Sequence, residues 1–150
     1  MNKIRMIALA ACMAATLDAS AQEQEIRLFS HRGGRMEHDE NTLSAFQASY
    51  DAGYRGFETD IRMTRDGALV ITHDSSLERT TDGTGTVEEK TEAEIRRLRT
   101  KQGNKVLFLD ELLEFLEGKE GLYVEFEMKT HPAALYPEER LARYLSLIHI

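Results

Sequence analysis

Gly56-Phe57-Glu58-Thr59-Asp60-Ile61-Arg62-Met63 alternates polar and apolar side chains over eight residues and is followed at once by Thr64-Arg65-Asp66-Gly67. Period-two alternation ending in a turn signal predicts a β-strand, and the next run, Ala68 to Thr72, predicts a second strand joined to it by a tight turn. Side chains two apart in a strand share a face. Glu58 and Asp60 therefore project from one side, with Phe57, Thr59 and Ile61 on the other.

Working outward, Ile26 to Ser30 is a short β-forming run that ends at His31-Arg32-Gly33-Gly34. Asn41 or Thr42 then caps a helix reaching about Ala52, with Leu43, Phe46 and Tyr50 at helical spacing and Gly53 as its stop. Beyond the hairpin, Ser75 to Lys90 is rich in Thr, Gly and Asp and predicts a surface loop. Thr91-Glu92-Ala93-Glu94 has the form of a capping box opening a short helix through about Arg99. Asp110 is expected to cap a helix whose apolar face is Leu112, Leu113 and Leu116, with Gly118 closing it. Leu122 to Met128 predicts another alternating strand, and Pro137-Glu138-Glu139 starts a final helix. The order β-α-β-β-loop-α-α-β-α predicts an α/β fold with a parallel sheet. His31, Glu58, Asp60, His73 and Glu127 all fall in or just after predicted strands, where such folds place their active sites.

Two carboxylates side by side repel, so Glu58 and Asp60 call for a cation between them, and a hard divalent ion with oxygen ligands, Mg²⁺ or Ca²⁺, is the natural occupant. Glu125 and Glu127 repeat the pattern, with Lys129 on the same face. A solvated strand face is the plain alternative. Two such pairs in strands that otherwise read as buried favour the ion. His31 and His73 supply groups able to exchange protons near neutral pH, and Arg32 can grip a phosphate with its planar fork. A metal, an arginine and two histidines suit phosphodiester cleavage, in which charge must be neutralised and a proton delivered to the leaving oxygen.

His31-Arg32-Gly33-Gly34, Glu40-Asn41-Thr42 with Ala45-Phe46, Gly56-Phe57-Glu58-Thr59-Asp60, Thr64-Arg65-Asp66-Gly67, His73-Asp74, Thr81…Gly83-Thr84-Gly85 and Glu127-Met128-Lys129 together resemble the glycerophosphodiester phosphodiesterase family. The resemblance runs from about Leu28 to Lys129. It implies a TIM-type (β/α)₈ barrel that hydrolyses glycerophosphodiesters to glycerol 3-phosphate and an alcohol. It also implies His31 and His73 as the acid-base pair, Glu58, Asp60 and Glu127 as ligands of one divalent cation, and Arg32 and Lys129 as phosphate contacts. In such a mechanism the metal positions and polarises the phosphoryl oxygens and a substrate hydroxyl. One histidine takes a proton and the other protonates the leaving alkoxide, and which does which stays open. Two positions depart from the family pattern: Asp39 stands where a proline usually precedes Glu-Asn-Thr, and Glu125 where Asn is common. Glu127 is preferred to Glu125 as the ligand because it lies two before Lys129. His38, His131 and His149 match nothing and are expected in loops or on the surface.

Composition bounds the partners. The chain has 150 residues, 19 Lys and Arg against 26 Asp and Glu, a formal charge of −7 and one cysteine. With no basic stripe, nucleic acid is not an expected partner, and a lone cysteine excludes an internal disulfide framework. Lys3 and Arg5, the apolar run Met6 to Leu17 and Ala19-Ser20-Ala21 predict a signal peptide over residues 1–21, and the apolar run is too short to be a permanent transmembrane anchor. Leu9-Ala10-Ala11-Cys12 also resembles a lipobox, which would attach a lipid at Cys12; cleavage after Ala21 is preferred because the lipobox leaves an unusually short apolar region. Either route predicts an extracytoplasmic protein.

The 150 residues less the 21-residue leader leave 129, whereas a complete (β/α)₈ barrel takes about 250. Residues 22–150 are accordingly expected to form the front three or four βα units of a truncated phosphodiesterase domain. The alternative function is an inactive fragment or phosphate-binding module that keeps the site motifs.

Overall fold

The computed structural model describes residues 28–148. The leader expected at residues 1–21, Cys12 within it and His149 lie outside the described residues. Strand β2 (Gly56–Met63) is the centre of a four-stranded sheet. Strand β1 (Phe29–His31) pairs with it in parallel, Phe29 opposite Gly56 and His31 opposite Glu58. Strand β3 (Leu69–Ile71) pairs antiparallel with its far end, Met63 opposite Leu69. Strand β4 (Tyr123–Met128) runs parallel to β2, from Gly56 opposite Tyr123 to Ile61 opposite Met128. The Glu58 and Asp60 carbonyls accept from Arg32 N and Thr72 N, whereas the Ile61 carbonyl accepts from Lys129 N. Carbonyls two apart point to one edge, so β1 and β3 lie end to end along one edge of β2 and β4 lies along the other.

Helix α1 (Leu43–Asp51) returns the chain between β1 and β2. Thr42 Oγ1 accepts from Ala45 N, and Gly53 follows the helix at φ +93°, the cap and stop expected. Its inward stripe is Ala45, Phe46 and Ser49, while Leu43 is exposed. The small residues let the helix come close to the glycine turn after β1, and Ser49 Oγ donates to the Gly33 carbonyl. Phe46 meets Phe57 with ring centroids 5.6 Å apart. Phe57, Ile61 and Met63, from the helix side of β2, join Leu109, Leu112 and Tyr144 in the main core.

Three expectations change. The segment 75–90 is a surface loop but an anchored one: Leu77 and Val87 are buried and join Val70, Ile95, Val106 and Phe108 in a second core, with a 3₁₀ turn at Val87–Glu89. Helix α2 spans only Glu92–Ile95, capping box intact, because the chain then turns back and Arg99 N donates to Asp82 Oδ1. Helix α3 (Leu109–Leu116) starts after Phe108, so Asp110 lies inside its first turn. Phe108 is buried, and the Glu111 carboxylate accepts from its backbone N–H. Helix α4 (Glu138–Ile148) begins after Pro137 as expected. Among the described residues no helix is long and apolar enough to cross a membrane.

Candidate active site

Strand alternation puts Glu58 and Asp60 on the side of β2 away from the main core, and the parallel register sets Glu127 opposite Asp60. One carboxylate oxygen from each of the three lies within 4.8 Å of the others. Asp60 is 0% exposed, and the Glu127 side chain is 56% exposed. Crowding anions away from water disfavours their charge. Burial, and after it the charge of Asp60, pushes the Glu58 carboxyl above its usual range. Arg32 opposes that shift through its backbone N–H, 3.3 Å from Glu58 Oε2, and its charge, and two cations meet the other two carboxylates. Arg32 Nε stands 3.1 Å from Asp60 Oδ2, and Lys129 Nζ is 3.1 Å from Asp60 Oδ1 and 2.5 Å from Glu127 Oε1. Burial lowers Lys129, but its contacts with Glu127 and Asp60 outweigh that and raise its pKa.

The backbone that presents Arg32 is strained. Arg32 has φ +54°, a region that residues with a Cβ seldom adopt, and Gly33 and Gly34 continue at positive φ. Arg32 N donates to the Glu58 carbonyl at 2.9 Å, and its own carbonyl accepts from Asn41 N at 2.9 Å. A Cβ on Gly33 would lie 2.8 Å from the Ala45 Cβ, so the turn is pressed against α1 and needs a glycine there.

His31 ends β1 with Nε2 3.5 Å from Glu58 Oε2. Burial, then the charges of Arg32 and Arg35, lowers its pKa. His73 follows β3 and does not touch the three carboxylates. Its Nδ1 donates to Asp74 Oδ1 at 2.6 Å, which fixes the tautomer and leaves Nε2 for chemistry. Arg79 Nε donates to the other Asp74 oxygen, and Arg79 Nη1 and Nη2 reach Glu40 at 2.9 and 2.7 Å. Burial raises Asp74, but the hydrogen bonds from Arg79 and His73 prevail and take it down to about 2. Glu40 is lowered, chiefly by its hydrogen bonds from Arg79.

Several residues of this site escape a reading of the sequence. Asn41, expected as a possible helix cap and quoted in the Glu40-Asn41-Thr42 motif without a role at the site, has φ +56°; its Nδ2 donates to Asp60 Oδ2 at 3.0 Å and its Oδ1 accepts from Thr59 Oγ1. Arg62 continues the Glu58, Asp60 alternation by one step, which was the available signal. Its Nη1 is 2.7 Å from Glu88 Oε1 and also donates to the His131 carbonyl, while Nε donates to the His73 carbonyl. Glu40 and Arg79 lie on loops with no periodicity to reveal them. Glu125 is exposed and is not in the carboxylate cluster; His38 and His131 are exposed. Asp39, in place of a proline, accepts from Asn104 Nδ2 at 2.9 Å and from Thr100 Oγ1.

The three carboxylates fit a hard divalent cation. All donors are oxygens. Asp60 Oδ1 is buried without a hydrogen bond, Lys129 Nζ at 3.1 Å being an ion-pair contact, and a buried anionic oxygen with no hydrogen bond is further stabilised by a second cation.

The model of the Glycerophosphoryl diester phosphodiesterase family matches residues 31–148. A protein named glycerophosphodiester phosphodiesterase from Caldanaerobacter subterraneus is 35% identical over 125 residues, covering 77% of this chain and 51% of its own length. Among solved structures, a glycerophosphodiester phosphodiesterase from Agrobacterium tumefaciens superposes with a TM-score of 0.66 at 30% identity, covering 83% of this chain and 64% of that one. An Oleispira antarctica phosphodiesterase in complex with the product sn-glycerol-3-phosphate gives 0.70 at 28% identity, covering 82% and 51%. The chain spans about half the length of the curated relatives it matches. The β1-α1-β2 and β4-α4 units correspond to part of a TIM-type barrel, as the motifs implied. The ordered motifs, the family model over 31–148 and the shared fold agree: this chain belongs to the glycerophosphoryl diester phosphodiesterase family.

Proposed function

We propose that the protein of which this chain carries the site hydrolyses glycerophosphodiesters to glycerol 3-phosphate and an alcohol, with one divalent cation, Mg²⁺ or Ca²⁺, held by Glu58, Asp60 and Glu127. The observation that carries this reading is the meeting of those three carboxylates beside Arg32 and Lys129. A cation bound there neutralises and polarises phosphoryl oxygens. Arg32 offers a planar fork and Lys129 a mobile point charge to the remaining phosphate oxygens. His31 and His73 share the two proton transfers. One takes the proton of the attacking substrate hydroxyl as its oxygen bonds to phosphorus, and the other gives a proton to the alcohol oxygen as its bond to phosphorus breaks; water then adds to phosphorus as the ring P–O bond of the cyclic phosphate breaks, with the two proton transfers reversed, to give glycerol 3-phosphate.

The test is release of glycerol 3-phosphate from glycerophosphocholine by the full-length protein with Mg²⁺ or Ca²⁺. Turnover is expected to stop on adding EDTA and return with the metal. His31→Ala and His73→Ala are expected to abolish turnover while leaving metal binding largely intact. Full turnover in EDTA, or unchanged rates in both histidine variants, would refute the assigned roles.

A further inference from the structure

Six charged or ionisable side chains run in an unbroken line of alternating sign beside the carboxylate cluster. Asp60 meets Arg32, whose Nη1 is 3.3 Å from Glu40 Oε1. Both Glu40 oxygens accept from the two Nη groups of Arg79. The Nε of Arg79 donates to one Asp74 oxygen, and the other Asp74 oxygen accepts from His73 Nδ1. Arg79 is the middle of this line and the one member on the segment after His73-Asp74 that no step above uses. Its side chain is 48% exposed, and ion pairs this open add little to stability. Its geometry is nevertheless highly specified. All three nitrogen positions of one guanidinium are spent on two carboxylates, a grip whose planar fork lysine cannot copy. Each carboxylate also holds a residue of the site, Glu40 the anion-gripping Arg32 and Asp74 the proton-exchanging His73.

We propose that Arg79 is a positioning residue that sets Arg32 and His73 at a fixed separation, so that the group binding the phosphate and the group moving its proton act on one substrate. The proposal rests on the phosphodiesterase reading for the roles of Arg32 and His73. Its contacts and their consequences can be measured without turnover.

The experiment uses the full-length protein and two readouts free of catalysis: the ring nitrogen and proton signals of His73 by NMR, and the affinity for inorganic phosphate by titration. Arg79→Ala is expected to shift the His73 ring signals and to weaken phosphate binding about five- to tenfold. Arg79→Lys should do nearly the same despite keeping the charge, and added methylguanidinium should restore part of the phosphate affinity in Arg79→Ala. Kinetics on glycerophosphocholine should show kcat falling about 10- to 100-fold, the size expected of a misplaced group, together with a raised KM.

Two variants read the linkage from its ends. Glu40→Gln does not touch His73, yet should shift its ring signals. Asp74→Asn does not touch Arg32, yet should weaken phosphate binding. These two keep the proposal testable if Arg79→Ala fails to fold. Absence of both cross-responses, or Arg79→Lys indistinguishable from the parent protein, overturns it. A protein that shows the cross-responses but hydrolyses no glycerophosphodiester upholds the linkage and refutes the phosphodiesterase reading instead.

Discussion

Replacing Arg62 by Met tests how the segments around the site are held. The Arg62 and Glu88 side chains are 6% and 1% exposed and pair at 2.7 Å. Glu88 also accepts from Ser75 Oγ at 2.6 Å and Tyr136 OH at 2.8 Å. Burial raises its pKa, but these hydrogen bonds together with Arg62 outweigh it and leave the carboxyl lowered and ionised. Arg62→Met strands that anion, a change that costs about 3–5 kcal/mol when one partner of a buried pair is removed. Against ordinary stabilities of about 5–15 kcal/mol, that is a large share, and for a domain of this size it corresponds to about 10–20 °C in Tm. Urea unfolding of Arg62→Met alone and of Arg62→Met with Glu88→Gln measures it. The double variant removes the charge and keeps an acceptor for the hydroxyls, so it should recover to within about 1–2 kcal/mol of the parent. The rate should not recover with it, because the His73 and His131 carbonyls still lack their donor; a loss of about 10- to 100-fold is expected to persist in both. A single variant less than about 1 kcal/mol destabilised refutes the burial argument, and a double variant that regains the full rate refutes the claim that Arg62 positions the His73 segment.

Gly33→Ala forces a side chain into left-handed backbone with its Cβ 2.8 Å from the Ala45 Cβ, so urea unfolding should show a loss of about 2–4 kcal/mol. Mg²⁺ or Ca²⁺ should raise the Tm of the parent protein, since an ion at a hundred times its Kd contributes about 2.7 kcal/mol. Asp60→Asn and Glu127→Gln should lose that shift and Glu125→Gln should keep it; a shift lost only in Glu125→Gln would reassign the ligand. Asp74, held at about 2 in the fold against about 3.9 unfolded, contributes stability present above about pH 4 and lost as pH falls towards 2. After screening at half-exposed Arg79 this is about 1 kcal/mol, and Asp74→Asn should flatten that part of the acid limb in urea midpoints measured from pH 5 to 2.

What the sequence makes legible here divides by range. The face shared by Glu58 and Asp60 follows from a period of two within one strand, and Thr42 and Gly53 bound α1 through contacts a few residues away. Their physics is local. Glu127 reaches Asp60 only through the register of two strands 67 positions apart, which alternation within either strand does not specify; the motif combination supplied that pairing. The segment 75–90 misleads because polar residues and glycine make up all of it but two positions, while those two apolar side chains, Leu77 and Val87, decide where it packs. At α3 the capping preference of Asp loses to burial of Phe108, one residue before the helix. Least legible is the pairing of Arg79 with Glu40: Glu40 falls in a quoted motif, but a link between two loops leaves no periodic trace in either.

Charge is what joins the legible and the illegible parts of the site. Glu58, Asp60, Glu127, Glu40 and Asp74 are five carboxylates, and the fixed cations touching them are Arg32, Lys129 and Arg79. Five negative charges against three positive leave two uncompensated, with Asp60 wholly buried among them. Protonating Glu58 relieves one, which is the direction its raised pKa takes, but it also removes a ligand oxygen and leaves Asp60 Oδ1 without a hydrogen bond. A single divalent cation matches both remaining charges and meets that oxygen. An ion held there and the arginine line would therefore be two parts of one electrostatic balance. Removing either Arg79 or Arg32 should tighten the hold on the cation even as it loosens the hold on phosphate, and titrations of Ca²⁺ and of inorganic phosphate against Arg79→Ala should move in opposite directions. If both affinities fall together, Arg79→Ala has disturbed the fold of the whole site, and the opposed shifts expected from its charge and its positioning are refuted.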